Sequence, residues 1–295
     1  MKLAAIDIGS NAARLLITEV TTDEKNNPVF NKLNLIRVPL RLGFEVFETG
    51  MISKSKIGML LQTMKAFKHL INAYEVNKIM ACATSAMRDA KNATDIIRKV
   101  KLETDINIEV ISGDMEAGLI FENHIAETLD KDHSYMYIDV GGGSTELSFF
   151  SNGVLIFKES FNIGTIRLLQ NMVNEKTWEV MREIIKTVTK GQKEVVAIGS
   201  GGNINKIFSM SKRKEGKPIT LELLKDYYKE LGSVNVEERI RLYNLRPDRA
   251  DVIVPALLIY TNAMRWAGAT EIYVPKIGLV DGLIHHMWEE VKGRN

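Results

Sequence analysis

The sequence predicts an α/β protein made of two similar lobes facing each other across a central cleft. Three observations carry this expectation. Apolar runs of strand length alternate with segments of helical period. A strand–turn–strand unit occurs twice, with its aspartate and glycine in place. The 295 residues suit either one large domain or two lobes of ordinary size.

The elements follow in order. "LAAIDI" reads as a buried strand, "GSNAA" as a turn and "RLLITEV" as the return strand. "NLIRVPLRL" is a further strand candidate. From Ser53 the period changes: Ile57, Leu60, Leu61, Met64, Phe67 and Ile71 share one helical face. "NKIMACAT" is a strand, and "SAMRDAKNATDIIRKV" is a loop entering a helix. "INIEVIS" is a strand running into the helix "GDMEAGLIFENHIAETL". "EVVAIGS" is a strand running into "GGNINKIFSM". "EIYVP" is a late strand, and "LVDGLIHHMWEEV" is the closing helix. The expected lobes are 1–122 and 123–295, with the closing helix 279–291 returning to the first.

The repeat sets "AAIDIGSNAARLLITEV" (4–20) beside "MYIDVGGGSTELSFFSN" (136–152). Asp7 matches Asp139 and Gly9 matches Gly141. Two buried strands could show this likeness by chance. The coincident aspartate makes duplication the better reading, with one Asp-Gly hairpin per lobe.

Composition narrows the function. Apolar residues make up 45% and charged residues 26%, a globular balance. A net charge of +2 gives no field that would select nucleic acid. One cysteine, Cys82, excludes an intramolecular disulfide and a cysteine-rich zinc site. It sits in an apolar run and reads as a small buried side chain. Asp7 and Arg14 interrupt what a signal peptide would keep apolar. The apolar segment 252–264 is too short to span a bilayer and contains Pro255. A cytoplasmic protein without a membrane partner is expected.

Glycine-rich turns supply the candidate chemistry. Glycine adopts a positive φ at little cost, and consecutive N–H groups in such turns form an anion-binding nest. "GGGST", Gly141, Gly142, Gly143, Ser144 and Thr145, suits a phosphate, with two hydroxyls as further donors. Asp139 beside it would repel phosphate unless a cation or a positioned water lay between them, so a Mg2+–phosphate site is expected. Alone, three glycines would mean only a tight hairpin; Asp139, Glu146 and the repeat favour function. This is no P-loop, because no Gly-Lys-Ser/Thr follows and a strand comes next. A second turn, Gly199, Ser200, Gly201 and Gly202, follows a strand and opens a helix whose N–H groups suit an anion. Arg88, after a strand, suits a bidentate grip on an anionic oxygen, or is a surface arginine at a helix start. Glu116 lies in a helix's first turn, where acids usually complement the helix dipole.

The motifs "AIDIGSNAARLL", "ATSAMRDAKN", "VISGDMEAGLIF", "YIDVGGGSTEL", "NIGTIRL", "IGSGGN" and "RPDRADVIVPALLI" occur in this order over nearly the whole chain. Together they resemble the Ppx/GppA phosphatases, exopolyphosphatases and guanosine pentaphosphate phosphohydrolases. The resemblance implies two ribonuclease-H-like lobes of the actin, Hsp70 and sugar-kinase type. It implies hydrolysis of a terminal phosphoanhydride of polyphosphate or of a guanosine penta- or tetraphosphate, usually with Mg2+. The family's catalytic glutamate falls on Glu116, as general base. Its metal- or water-positioning carboxylates fall on Asp139 and Glu146, and Asp7, their counterpart in the repeat, is a further candidate metal ligand. Its phosphate loops fall on Ser10–Asn11, Gly141–Thr145 and Gly199–Gly202, and its phosphate-gripping arginine on Arg88.

The chain departs from the family pattern at Met115, Gly118 and Ala12, which replace a glutamate, an arginine and a serine. These changes bear on substrate preference and rate. The length resembles the short, two-domain form, and a homodimer is the expected assembly. Two basic stretches could guide a polyanion: "KRKEGK" (212–217), which also reads as a solvated loop, and Arg239–Arg249, where Arg246 and Arg249 could instead pair with Asp248 or Asp251. A kinase of the same fold using ATP and a non-catalytic alarmone or polyphosphate sensor are the alternatives.

Overall fold

The computed structural model describes residues 1–121, 132–192 and 194–293. The chain divides into two compact units, Met1–Asn123 with Leu279–Asn295, and His124–Gly278. The boundary expected at 122/123 lies outside the described residues.

In the first unit, β1 (Lys2–Ile8) and β2 (Ala13–Thr22) form an antiparallel hairpin, with Ala5 opposite Leu16 and Asp7 opposite Arg14. β3 (Pro28–Val38) pairs antiparallel with β2. The strand expected over 34–42 therefore ends at Val38. Arg41 turns the chain with a left-handed φ of 56° into α1 (Leu42–Thr49). α2 (Lys54–Ala73) is capped by the Ser53 hydroxyl, which accepts from the Lys56 N–H at 3.3 Å. It buries Leu60, Leu61, Met64, Phe67 and Ile71, the stripe its period predicts. β4 (Lys78–Ala83) lies parallel to β1. α3 (Ser85–Asp89), α4 (Ala93–Thr104), β5 (Ile108–Val110) and α5 (Gly113–Phe121) follow. The rest of the helix expected to 129 lies outside the described residues. The sheet order is β3-β2-β1-β4-β5.

The second unit repeats this plan. β6 (Ser134–Val140), β7 (Thr145–Ser151) and β8 (Val154–Phe161) form an antiparallel meander. α6 (Thr165–Leu169) and α7 (Glu175–Thr189) lead to β9 (Val195–Ser200), which lies parallel to β6. Then come α8 (Gly202–Met210), β10 (Ile219–Thr220), α9 (Leu221–Gly232), α10 (Val236–Tyr243), α11 (Pro247–Ala250), α12 (Ile253–Ala267) and β11 (Glu271–Tyr273). The order is β10-β11-β9-β6-β7-β8. Without β10, it matches the first sheet strand for strand and direction for direction, which is the ribonuclease-H-like arrangement. The apolar segment 252–264 is most of α12, a core helix burying Leu257, Tyr260 and Met264. Pro255 lies in its first turn, where an N–H lacks an intrahelical partner anyway.

The closing helix α13 (Leu279–Lys292) belongs to the first unit. Leu283, Ile284 and Met287 are buried with Leu3, Ala5, Leu16 and Cys82. Each such apolar side chain contributes roughly 1.5–3 kcal/mol on leaving water. Lys78 pairs with Glu290 and Lys32 with Asp281, each at 2.5 Å, so charges from β4 and β3 tie down both ends of the helix. Among the described residues no helix is long and apolar enough to cross a membrane.

Candidate active site

The turn after β1 opens the first unit's candidate site. The carbonyl of Ser10 accepts from the Gly43 N–H at 2.8 Å, and that of Asn11 from the Arg41 N–H at 2.9 Å. The Ser10 hydroxyl lies 2.7 Å from the Ser85 hydroxyl at the start of α3. One turn further along α3, Arg88 donates through Nη1 to the Ile111 carbonyl at 2.7 Å and to Glu116 Oε2 at 3.3 Å. Glu116 is buried in the first turn of α5. The structure therefore joins Arg88 to Glu116, and Ser10 to the helix that carries Arg88. Asp7 is also buried, and Arg14 holds its carboxylate at 2.5 Å. Burial pushes the Asp7 carboxyl up, and the Arg14 charge and hydrogen bond pull it back. Cys82 lies beside Asp7 in the β1–β4 register. Its thiol is pushed up to about 12, first by burial and then by Glu109, Asp7 and Glu116. It is a buried core side chain and not a poised nucleophile.

In the second unit, "GGGST" links β6 to β7. The Gly141 carbonyl accepts from the Thr165 N–H at 3.1 Å, and the Gly142 carbonyl from the Ile166 N–H at 2.8 Å. The Gly143 carbonyl accepts from Arg167 Nε at 2.7 Å. The Thr145 hydroxyl donates to the Ile163 carbonyl at 2.5 Å. Three consecutive carbonyls thus point at one segment, 165–167. In a trans peptide the C=O and the following N–H point in opposite directions, and the described residues contain no cis bond. The N–H groups of Gly142, Gly143 and Ser144 therefore face away from that segment. They form a run of donors on one side of the loop, which suits an anion.

The reason for glycine here differs from the sequence expectation. None of Gly141, Gly142 and Gly143 adopts a left-handed φ. The close approach falls on the segment packed against the loop. A Cβ on Gly164, just before α6, would lie 2.4 Å from the Gly142 carbonyl oxygen and from the Gly143 carbonyl carbon. In the second turn Gly201 does need its freedom, with φ at 107°.

Asp139, next to last in β6, lies directly opposite Glu146 on β7 and beside Ser200 on β9. A Cβ on Gly201 would stand 3.0 Å from Asp139 Oδ1, so this carboxylate and the second glycine turn share one corner of the sheet. Glu146 is buried and accepts from the Ser160 hydroxyl at 2.8 Å. Tyr260, buried on α12, donates to the Ser200 carbonyl. Burial holds its phenol far above the ordinary range, and the nearby Asp139 charge adds to this. It stays a proton donor. Arg249 packs its guanidinium against Gly202, where a Cβ would meet Nη2 at 2.5 Å, and donates to Asn203 Oδ1 at 2.8 Å. Arg246 forms an ion pair with Asp248 at 3.3 Å.

Among the described residues no three His, Cys, Asp or Glu side chains converge as a ready-made metal cage. Two facing carboxylates beside a run of N–H donors still fit Mg2+, which commonly takes one or two protein carboxylates and completes its shell with water and substrate phosphates. Asp139 and Glu146 would hold it. Asp7, engaged by Arg14, has no facing carboxylate in its ladder position.

The glycine turns, Asp139 and Glu146 were legible from the sequence. Arg167 and Tyr260 were not assigned, although Arg167 lies in "NIGTIRL" and Tyr260 in the apolar segment 252–264. Their partners, Gly143 and Ser200, are reached only through the tertiary fold.

A family model described as the Ppx/GppA phosphatase family matches residues 20–290. The bifunctional 3-dehydroquinate synthase/phosphatase of Fusobacterium nucleatum subsp. nucleatum is 28% identical over 92% of this chain, which spans only 44% of that relative's length. Exopolyphosphatase 1 of Mycobacterium tuberculosis (strain H37Rv) is 23% identical, with 96% of this chain and 87% of the relative covered. The solved Aquifex aeolicus member of the Ppx/GppA protein family has a TM-score of 0.77 at 25% identity, covering 98% of each chain. An exopolyphosphatase from Cytophaga hutchinsonii shares the fold with a TM-score of 0.85 at 24% identity, again over 98% of each chain.

Proposed function

The chain belongs to the Ppx/GppA phosphatase family, and on that footing we propose that it hydrolyses the terminal phosphoanhydride of a linear polyphosphate and releases inorganic phosphate. The 5′ end of guanosine pentaphosphate offers the same reacting group and is the second candidate substrate. Two similar proteins bear the name exopolyphosphatase, which favours polyphosphate.

The observation that carries this reading is the corner where Asp139 and Glu146 face each other beside a loop with three N–H groups on one side. In the proposed reaction a water oxygen attacks the terminal phosphorus, and the bond to the bridging oxygen breaks. The bridging oxygen leaves with the bonding electron pair on the shortened chain. The water proton passes to the Glu116 carboxylate, acting as general base. Arg88, held against Glu116, supplies a positive charge for a phosphate oxygen. The N–H groups of Gly142, Gly143 and Ser144 hold phosphate oxygens by hydrogen bonds that need no reorganisation. When Mg2+ is bound by Asp139 and Glu146 it neutralises charge on the phosphate oxygens.

Phosphate release from tripolyphosphate, long polyphosphate and guanosine pentaphosphate, each with and without Mg2+, tests the reading. Release to water, dependent on Mg2+, is the expected result. Transfer to an added acceptor with no release would make the protein a kinase. Tight binding without turnover would make it a sensor.

A further inference from the structure

We propose that Arg167 is a positioning residue for the phosphate loop, acting through the Gly143–Ser144 peptide from the side opposite the substrate. The inference rests on the hydrolase reading above and deepens it. The segment "NIGTIRL" has no assigned role, yet it contacts every glycine of the loop. Two of its bonds to the loop glycines come from backbone N–H groups, at Thr165 and Ile166. The third comes from a side chain, Arg167 Nε on the Gly143 carbonyl at 2.7 Å.

That third bond differs from the other two in kind. It carries a formal charge, so it is stronger than a neutral pair. Polarising the Gly143 carbonyl also polarises the N–H at the other end of the same peptide. That N–H belongs to Ser144, two residues before Glu146 in the sequence. Arg167 thus sharpens one donor and fixes its direction while pointing away from it. Gly164 makes this possible, because no side chain fits between its backbone and the loop. α6 itself is a five-residue turn whose first N–H groups are spent on the loop carbonyls, so it is a back-brace and not a second anion site.

The effect should fall on phosphate affinity and leave the proton chemistry alone. Arg167→Met keeps most of the aliphatic stem and removes charge and donor. Arg167→Lys keeps the charge, but its ammonium lies beyond the position of Nε and lacks the planar fork. The probes are inorganic phosphate, as competitive inhibitor and by calorimetry, and tripolyphosphate as substrate. Arg167→Met should raise the phosphate inhibition constant and the tripolyphosphate KM about fivefold, because the Ser144 N–H loses its polarisation and its fixed direction. Its pH–rate profile should match the wild type, and so should its melting temperature within a few degrees. Arg167→Lys should lose at least about threefold and less than Met.

Constants for Arg167→Met within a factor of two of wild type would overturn the proposal, as would a loss that only tracks the unfolded fraction. If Arg167→Met does not fold, Arg167→Lys decides: constants equal to wild type overturn the proposal. If the wild type neither binds phosphate nor releases it, the hydrolase reading falls and takes this one with it. If the wild type does both and Arg167 is silent, only this inference falls.

Discussion

Asp139 stands directly opposite Glu146 across the β6–β7 ladder. Side chains at such positions have Cβ atoms about 4.5–5.5 Å apart. The first hairpin places Arg14 opposite Asp7 at the matching register. The two copies of one hairpin therefore differ in the sign of a single charge. In the first unit the buried aspartate is neutralised internally. In the second, two carboxylates meet where a cation and a phosphate would meet.

Asp139→Asn should accordingly blunt the response to Mg2+, because it removes one of the two facing carboxylates that a hard cation prefers. Added Mg2+ should raise the melting temperature of the wild type, because it binds only the folded state. It should leave the variant almost unmoved and restore little of its activity. Superimposable Mg2+ titrations of the two proteins would show that Asp139 lies away from the metal.

Arg14→Met should expose the other side of this contrast. Burial raises the Asp7 carboxyl above its unfolded value, and Arg14 opposes the rise. The folded state then holds a proton more tightly than the unfolded one. That contribution is fully present below the unfolded pKa and is lost as pH rises through the folded pKa. Without Arg14 the folded value climbs further. We expect a loss of about 1–3 kcal/mol at neutral pH, below the usual figure for a broken buried pair because Arg14 is partly exposed. Part of the loss should return on acidification. Urea unfolding at neutral and mildly acidic pH measures this, and a penalty that grows on acidification would refute it.

Cys82 should behave as core. With the thiol pushed up to about 12, almost no thiolate exists near neutrality. An alkylating reagent should leave the native protein and its phosphate release untouched, and should modify Cys82 only in denaturant. Rapid native-state modification with loss of activity would contradict this.

Gly164→Ala should damage the phosphate loop more than its size suggests. The added Cβ would lie 2.4 Å from backbone atoms of Gly142 and Gly143. Backbone cannot swing aside as a side-chain tip can, so the loop must move. Overpacking of this kind costs about 1–3 kcal/mol. Phosphate affinity should fall with it. A variant with wild-type stability and wild-type phosphate binding would mean that the loop tolerates displacement.

How much of this was legible in the sequence depended on range. The repeat was visible because Asp7 and Asp139 sit in near-identical local strings, and the matching sheet orders follow from it. α2 was visible because its apolar stripe is long and strictly periodic. α1 was hidden, since Arg41 opens it from a left-handed conformation with no capping side chain. α12 was read only as an apolar run, because it is buried on most sides and shows little polar face. At the site, residue types were legible and their partners were not. Arg167 reaches Gly143 and Arg88 reaches Glu116 over gaps that no local pattern encodes. The glycines of "GGGST" do not use the φ freedom expected of them, and the close approach falls on Gly164 instead.

Glu116 separates the two roles that a first-turn acid can play. As a dipole partner of α5 it would contribute about 0.3–1 kcal/mol to stability and nothing to chemistry. As general base it would contribute little to stability and much to rate. Glu116→Gln keeps shape and removes the proton acceptor. We expect kcat to fall by roughly 10²–10⁴ with KM little changed, the usual worth of a positioned base. Arg88→Met should differ in kind, because Arg88 holds Glu116 at 3.3 Å and, in the proposed reaction, also offers charge to a phosphate. It should raise KM as well as lower kcat. The double variant then reports coupling. If Arg88 acted only by orienting Glu116, removing it from the Glu116→Gln protein would change nothing further. A further rise in KM in that background would assign Arg88 a phosphate contact of its own. An unchanged kcat in Glu116→Gln would return Glu116 to the helix dipole and leave the attacking water without an assigned base.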